Sequence, residues 1–511
     1  TFYVKLEDAL GEIGFAQGVR EICRPAYADA IKGGRPGIDP AVYFKMLMIG
    51  FFENLPSERS IASRCADSLS LRAFLGYGLE EGTPDHSSLS VIRTRLGAEV
   101  FQAALELVLR GLYEYGLLKG RDLGIDSSII EANASLRELQ HRNTEEAYWD
   151  YVKALAGQAG IDPDDTKALR RFDKKRSGRR TSNKEWVNPH DSDAKVGRTK
   201  DGACDMVYKP EHISDLESGV IVRAEVRPGD AGDTTGLGER MVDACEVLSR
   251  VCEDPKQGRT GRSVTADEGY FNVEEVALLQ AEPLRTIIGD PHAPKRNRDR
   301  QCAETRATLN KAKRAVTSKS GKALLRKRGE YIERSFCHVL DHGGLRRATL
   351  RGCENLSKRL VGAVIAFNLS VLMRHLYGVG TAKQWEARVS RAHEGLVNVL
   401  NGLSNTVWLH FANLLSKSLS VQPPLQRSPR IELFASGPQI VANSTGCWGV
   451  IPATWRRAAS RAYGELCSNK PLQGLLSRSD FLRVSESGDR RRWVVCESGF
   501  GGAAMVSAGQ S

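Results

Sequence analysis

The 511-residue sequence predicts an α/β fold, a mixed sheet with covering helices preceded by an all-helical N-terminal region. Three features of the chain predict it. Apolar positions recur at helical spacing through residue 118 or so, and strand-like and helix-like segments then alternate to about residue 340. Past about residue 380 the regular pattern decays.

In the N-terminal region, "PAVYFKMLMIGFFENL" (40–55) follows Asp39 as a candidate N-cap, with Pro40 at the first helical position. "PSERSIASRCADSLSLRAFLG" (56–76) reads as another capped helix. "TPDHSSLSVIRTRLGAEVFQAALELVLRGLYEYG" (83–116) begins with turn chemistry and ends in a long amphipathic helix. Short helices joined by tight turns, one carrying Arg93 and Arg95, suit a helix-turn-helix-like DNA binder and equally an ordinary bundle. From residue 119, "RDLGIDSS" is a strand, and a polar, basic, helical insertion fills 137–200. "CDMVYKPEHISDLESGVIVRAEVRPGD" (204–230) predicts two antiparallel strands around "LESG". Helix 234–254, strand 263–272, helix 273–282, strand 284–291, a basic helical segment and helix 329–340 follow. The expected division is therefore 1–118, 119–379 and a partly disordered accessory tail, 380–511.

Composition is that of a soluble globular protein, 41% hydrophobic and 26% charged. "LVGAVIAFNLSVLM" (360–373) is interrupted by Asn368 and too short to span a bilayer, and the opening residues lack a signal-peptide pattern. Eleven scattered cysteines argue against a disulfide framework or a structural zinc site. These features predict a cytoplasmic protein with no membrane contact. The formal charge of +11 suits a polyanionic partner. It is concentrated in "RRFDKKRSGRR" (170–180), with Lys174, Lys175, Arg176, Arg179 and Arg180, and in "KRNRDR" (295–300), with Lys295 and Arg296. One such run is ordinarily a solvated face; two flanking a candidate site point to nucleic acid.

That site rests on three acids: Asp126 ending the first strand, Asp267 ending the fourth, and Glu333 on a helix after the fifth. In a mixed sheet the first and fourth strands can be neighbours, which brings their terminal acids together. Clustered carboxylates repel one another unless a cation neutralises them, and hard divalent cations take oxygen ligands. Asp230 and Asp233 in "PGDAGDTT" read as caps of the helix that follows, and His190, Asp191 and Asp193 as a solvated loop. His338 and His342 read as helix-surface residues, and Ser127 and Ser128 carry no assigned role.

The segments "GIDSSIIEANAS", "WVNPHDSDAKVGRTKDGACDMVYKPEH", "AEVRPGDAGDTT", "TADEGYF" and "YIERSFCHVLDHGGLRRATLRGCENLSKRLVGAVIAFNLSVLMR" together resemble a bacterial insertion-sequence DDE transposase of the IS5/IS1182 kind, within the IS4-like superfamily. The helical stretch "RPGIDPAVYFKMLMIGFFENLPSERSIASRCADSLSLRAFLGY" resembles the domain that precedes the core in that group, and the likeness runs from residue 2 to about 380. The resemblance implies an RNase H-like catalytic domain over 119–379 and a DNA-binding helical domain over 1–118. It assigns Asp126, Asp267 and Glu333 as catalytic residues and metal ligands, with Glu330 the nearest rival for the third position. Two Mg²⁺ ions, replaceable by Mn²⁺, are the implied cofactors. The wider superfamily signature expects Tyr, Arg and Lys where this chain has Arg326, Gly329 and Leu340, so the basic partners fall among Arg328, Arg334, Arg346 and Arg347. The implied reaction is cleavage at transposon ends and 3′-OH strand transfer into target DNA. The implied partners are terminal inverted repeats, target DNA and a second copy of the chain, in the nucleoid-associated cytoplasm. The alternatives are an inactive or repurposed copy that binds DNA, and a non-specific nuclease on the same core.

Overall fold

A computed structural model describes residues 1–27, 37–177, 183–199, 201–252, 261–282, 284–293 and 301–418. Thr1–Asn413 form one compact unit; of the second, Leu414–Ser511, only the helical residues 414–418 are described.

Seven helices open the chain: α1 Phe2–Glu12, α2 Phe15–Tyr27, α3 Pro40–Phe52, α4 Glu58–Asp67, α5 Leu69–Leu75, α6 His86–Arg95 and α7 Ala98–Glu114. The start of α3 follows the sequence expectation, with Asp39 Oδ1 accepting the Ala41 amide at 2.9 Å and Pro40 in the first turn. Such a cap contributes about 1 kcal/mol. Where one helix was expected over 56–76, Ser68 ends α4 and caps α5, accepting from the Leu71 amide. Over 83–116 the long amphipathic helix forms as expected, as α7, and the stretch before it holds a further helix, α6, that ends at Leu96 and Gly97.

The core sheet has five principal strands: β1 Asp122–Ser127, β2 Cys204–Asp215, β3 Ile221–Pro228, β4 Ser263–Thr265 and β5 Arg285–Ile287. Their order is β3-β2-β1-β4-β5, with β2 antiparallel to both neighbours and β1, β4 and β5 parallel. Two antiparallel strands on one side of β1 and two parallel ones on the other form the RNase H-like arrangement. Short strands Ile130–Glu131 and Lys195–Arg198 extend β2. Parallel pairing requires crossovers, supplied here by α10 Leu237–Val251 before β4 and α11 Val273–Ala281 before β5.

The insertion at 137–200 contains the helices α8 Tyr148–Gln158 and α9 Thr166–Lys175. It also contains a two-stranded ladder, Gln140–His141 with Trp186–Val187, which an all-helical expectation omitted. Two-residue strands carry no periodicity to read. After β5 come α12 Ala303–Thr317, α13 Lys319–Phe336 with a π-helical turn Cys337–Asp341, and α14 Cys353–Tyr377. By composition the stretch from Cys353 is long and apolar enough to cross a membrane, but its apolar window is 72% buried inside the molecule. It is the central helix, packed on α3, α7 and β3. Asn368, which breaks its apolar run, is fully buried, accepting from the Ile221 amide at 3.0 Å and donating to the Ile221 carbonyl at 2.8 Å. From Ala382 to Ser418 the chain is helical (α15), where the sequence predicted loss of regular structure; the rest of the expected tail lies outside the described residues.

Candidate active site

β1 and β4 are parallel neighbours with Gly124 opposite Thr265. Asp126 and Asp267 each stand two residues beyond that pair, so the two acids lie level at the same edge of strands about 4.8 Å apart. Asp267 is also the N-cap of the turn Glu268–Tyr270, its Oδ1 accepting the Gly269 amide at 2.9 Å. The Asp126 carboxylate accepts from the Ser127 amide at 2.8 Å on Oδ1 and from Arg328 Nη1 at 2.6 Å on Oδ2. Burial pushes its pKa up; the Arg328 guanidinium and the Ser127 amide oppose that, and the nearby Asp267 charge adds to it.

Gly124 explains how Arg328 reaches the strand. A Cβ at this position would stand 2.6 Å from Leu216 Cδ2, 3.1 Å from Ile332 Cδ1 and 3.3 Å from Arg328 Cγ. Its absence lets α13 lie close on the sheet. Further along the same helix face, Ser335 Oγ meets the buried His212 Nδ1 at 3.1 Å and Phe336 stacks on the His212 ring at 4.3 Å. Arg328, Ile332 and Ser335 thus define the sheet-facing side of α13.

Glu333 follows Ile332 and is rotated about 100° from it, at the flank of that face. Its carboxylate is exposed and has no partner among the described residues. Glu330, two residues before Ile332, is rotated about 200° to the far side, where it pairs with Arg334 at 2.5 Å. Among the described residues no three His, Cys, Asp or Glu side chains are gathered closely enough to hold a metal alone. The level pair of carboxylates still fits a hard divalent cation, because Mg²⁺ is commonly held by one or two carboxylates, with waters and substrate phosphates completing its shell. The donor set matches an ion shared with DNA rather than one caged by protein.

Beneath this edge is a polar layer that sequence reasoning missed. Alternation along β1 turns Ser127 to the face opposite Asp126, where Ser127 Oγ donates to Asp233 Oδ1 at 2.9 Å. Lys209 pairs with the same Asp233 oxygen at 2.5 Å. The expected helix-cap role of Asp233 is therefore corrected. The first turn of α10 is capped instead by Glu275, which accepts from the Gly236 amide at 3.1 Å and the Gly238 amide at 2.7 Å. Glu211, opposite Ser127 in the ladder and 1% exposed, pairs with Arg240 at 2.6 Å and Arg227 at 3.4 Å and accepts from the Tyr270 hydroxyl at 3.1 Å. That cluster ties the turn after Asp267 to β2. The alternating polar residues Lys209 and Glu211 within β2 were the available sequence signal.

The predicted basic residues fall into distinct groups. Arg93 is enclosed by Glu58, Asn355 and Ser90. Arg176 is bound to Asp173 at 2.8 Å and to the Tyr148 hydroxyl at 3.1 Å. Arg346 links Asp341 to Ser128 and the Ile129 carbonyl, beside the end of β1. Arg95, lying over the Tyr27 ring, and Lys174, Lys175 and Arg334 are exposed, and Arg347 is 82% exposed. Arg179, Arg180, Lys295 and Arg296 lie outside the described residues. Asp191, expected in a solvated loop, is buried and accepts from the Tyr208 hydroxyl at 2.5 Å, while Asp193 accepts from the Cys353 amide at 3.0 Å. His338 is half-buried against Phe367 and His342 rather than on the open helix surface.

Known proteins bear on this geometry in two places. Residues 2–95 match a family described as "Transposase domain (DUF772)", and residues 143–369 match "Transposase DDE domain". Asp267 and Glu333 lie inside the second match, and Asp126 lies between the two. No curated protein matches the chain. The solved "Mos1 transposase paired-end complex with left transposon end" aligns over 61% of this chain and 81% of that one, at 10% identity and a TM-score of 0.17, too loosely to bear on the argument. The two family matches together take in more than half of the sequence, in the order helical domain then sheet domain, and the chain belongs to the insertion-sequence DDE transposases, enzymes that depend on divalent metal to cleave DNA and transfer its strands.

Proposed function

We propose that Asp126, Asp267 and Glu333 are the catalytic carboxylates of this transposase, acting at the terminal inverted repeats of an element of the IS5/IS1182 kind. The observation that carries the reading is the level pairing of Asp126 and Asp267 on adjacent parallel strands. Glu333, at the flank of the helix packed over that edge, is the acid best placed to join them when DNA arrives. Two Mg²⁺ ions, or Mn²⁺ in their place, would when bound activate the attacking oxygen and stabilise the leaving one.

The remaining work falls to the protein's own side chains. Asp126 and Asp267 present their oxygens toward the reacting phosphodiester, and Arg328 offsets the charge that they concentrate. Arg95, Lys174, Lys175, Arg334 and Arg347 are exposed and can contact DNA phosphates, Arg334 by exchanging its open ion pair with Glu330, and Arg346 steadies the loop after β1. Residues 1–118 serve end recognition, 119–379 serve chemistry, and two copies acting together hold two ends and the target DNA. The working site is the nucleoid-associated cytoplasm.

The direct test is Asp126→Ala, assayed for cleavage of inverted-repeat DNA with Mg²⁺. Cleavage should fall by at least about 10²-fold while DNA binding in metal-free buffer is unchanged. Cleavage at the wild-type rate would remove Asp126 from the reaction.

A further inference from the structure

Ser127 and Asp233 stand outside the DDE assignment, yet they reach both of its strand-end acids. The Ser127 amide donates to Asp126 Oδ1 at 2.8 Å, and its hydroxyl donates through the other face of the strand to Asp233 Oδ1 at 2.9 Å. One residue thereby couples the orientation of the Asp126 carboxylate to Asp233. Asp233 is itself held by Lys209 Nζ at 2.5 Å, and that ammonium also donates to the Ala231 carbonyl at 3.1 Å. Asp233 lies beside the second acid as well. A Cβ added to Gly269 would stand 3.1 Å from Asp267 Oδ1 and 3.9 Å from Asp233 Oδ2. Tyr270, in the turn that Asp267 caps, donates to Glu211, the residue opposite Ser127 in the ladder, at 3.1 Å.

Helix capping does not account for Asp233 at this strand end, because Glu275 already caps α10. The arrangement makes physical sense as a support. Lys209 neutralises Asp233, Asp233 fixes the Ser127 hydroxyl, and the strand end is then unable to twist and turn Asp126 Oδ1 away. Arg328 restrains the other Asp126 oxygen from the opposite face of the sheet. We infer that Lys209, Asp233 and Ser127 form a positioning relay that sets Asp126 Oδ1 for cation binding; the inference rests on the reading of Asp126 and Asp267 as ligands. Partners of this kind typically alter metal affinity by about 10–100-fold.

Mn²⁺ titration of the metal-free full chain, followed by the electron paramagnetic resonance signal of free Mn²⁺, tests the relay without relying on turnover. Ser127→Ala and Asp233→Asn should each weaken Mn²⁺ binding by about 10-fold or more, with thermal unfolding and metal-free DNA binding unchanged. Ser127→Thr, which keeps the hydroxyl, should bind nearly as wild type, a rescue that a purely structural role for the position would not produce. If Ser127→Ala and Asp233→Asn bind Mn²⁺ as wild type while Asp126→Ala has lost it, the relay is overturned and the ligand assignment stands. If Asp126→Ala also binds as wild type, the ligand assignment itself falls. Should Asp233→Asn lower the unfolding temperature, the Ser127→Ala and Ser127→Thr pair decides alone, with equal Mn²⁺ binding by the two overturning the relay.

Discussion

The strand ends and the α13 helix both carry acids proposed for the reaction centre, but they hold them in opposite ways. Asp126 and Asp267 have their oxygens engaged by backbone amides, and Asp126 is also gripped by Arg328. Below them lie the Ser127, Asp233, Lys209 and Glu211 contacts. Glu333 sits one residue past the packed face of its helix, exposed and without a partner among the described residues. Backbone register can align two short carboxylates in advance, because neither has much rotamer freedom left to lose. A long Glu on a helix flank keeps that freedom, and ordering it costs about 1–2 kcal/mol that ligand binding must offset. In the proposed site the strand acids form a preset pair, and the helix acid is the one left to order on a ligand.

The contrast is broken most severely at Glu211. Glu211→Gln leaves the buried Arg240 and the part-buried Arg227 without their counter-charge, which costs about 3–5 kcal/mol. Chemical denaturation should show the loss, and cleavage should fall in step with the folded fraction. A Glu211→Gln protein as stable as wild type would mean that the turn after Asp267 is supported by something else. Glu333→Gln should behave in the reverse way. Its unfolding midpoint should match wild type because the side chain is exposed and without a polar partner among the described residues, while Mg²⁺-dependent end cleavage falls by about 10²-fold. Full cleavage by Glu333→Gln would move the third carboxylate elsewhere.

A smaller effect joins the two regions through His212, which lies opposite Asp126 in β2 and meets Ser335 of α13. Full burial lowers its pKa from the usual 6.5 to about 3, so the unfolded chain takes up the proton more readily than the folded one. Stability from this group is complete above pH 6.5 and is lost as pH falls from there toward 3, by up to about 1.4 kcal/mol per pH unit. Burial raises the pKa values of Asp126 and Glu211 and works in the other direction, so the measurement is the difference between wild type and His212→Gln. That difference should grow in favour of the variant as pH drops below 6.5; a constant difference would contradict a neutral His212.

How much of this was legible depended on the range of the signal. The Asp39–Pro40 helix start, the β2–β3 hairpin and the helices α10 and α11 are encoded locally, in caps and periodicity, and formed as expected. The meeting of Asp126 and Asp267 followed from β1 and β4 being neighbours, which sequence order permits and parallel pairing produced. The break at Ser68 was hidden because a cap residue inside a helical pattern looks like an exposed turn of the same helix. The Ser127–Asp233 bond was hidden for a different reason. It joins side chains 106 residues apart, across the face of the sheet turned away from Asp126, and no spacing rule reports which face a loop will cross. Asp191 was misread similarly, since its partner Tyr208 lies in the middle of β2.

The smallest effect sharpens the comparison within one helix turn. Glu330 and Glu333 are three residues apart on α13, and both are exposed, so composition alone does not separate them. Rotation does, because Glu330 faces away from the strand ends and spends its charge on Arg334, the two side chains being 61% and 52% exposed. An ion pair so open to water contributes about 0–1 kcal/mol. Glu330→Gln should therefore shift the unfolding midpoint barely at all and leave the Mg²⁺ dependence of end cleavage where wild type has it. Because the same substitution at Glu333 is expected to abolish most cleavage at unchanged stability, the two variants assayed side by side separate position from charge. Cleavage lost by Glu330→Gln and kept by Glu333→Gln would assign the third carboxylate to Glu330 and overturn the choice made on rotation alone.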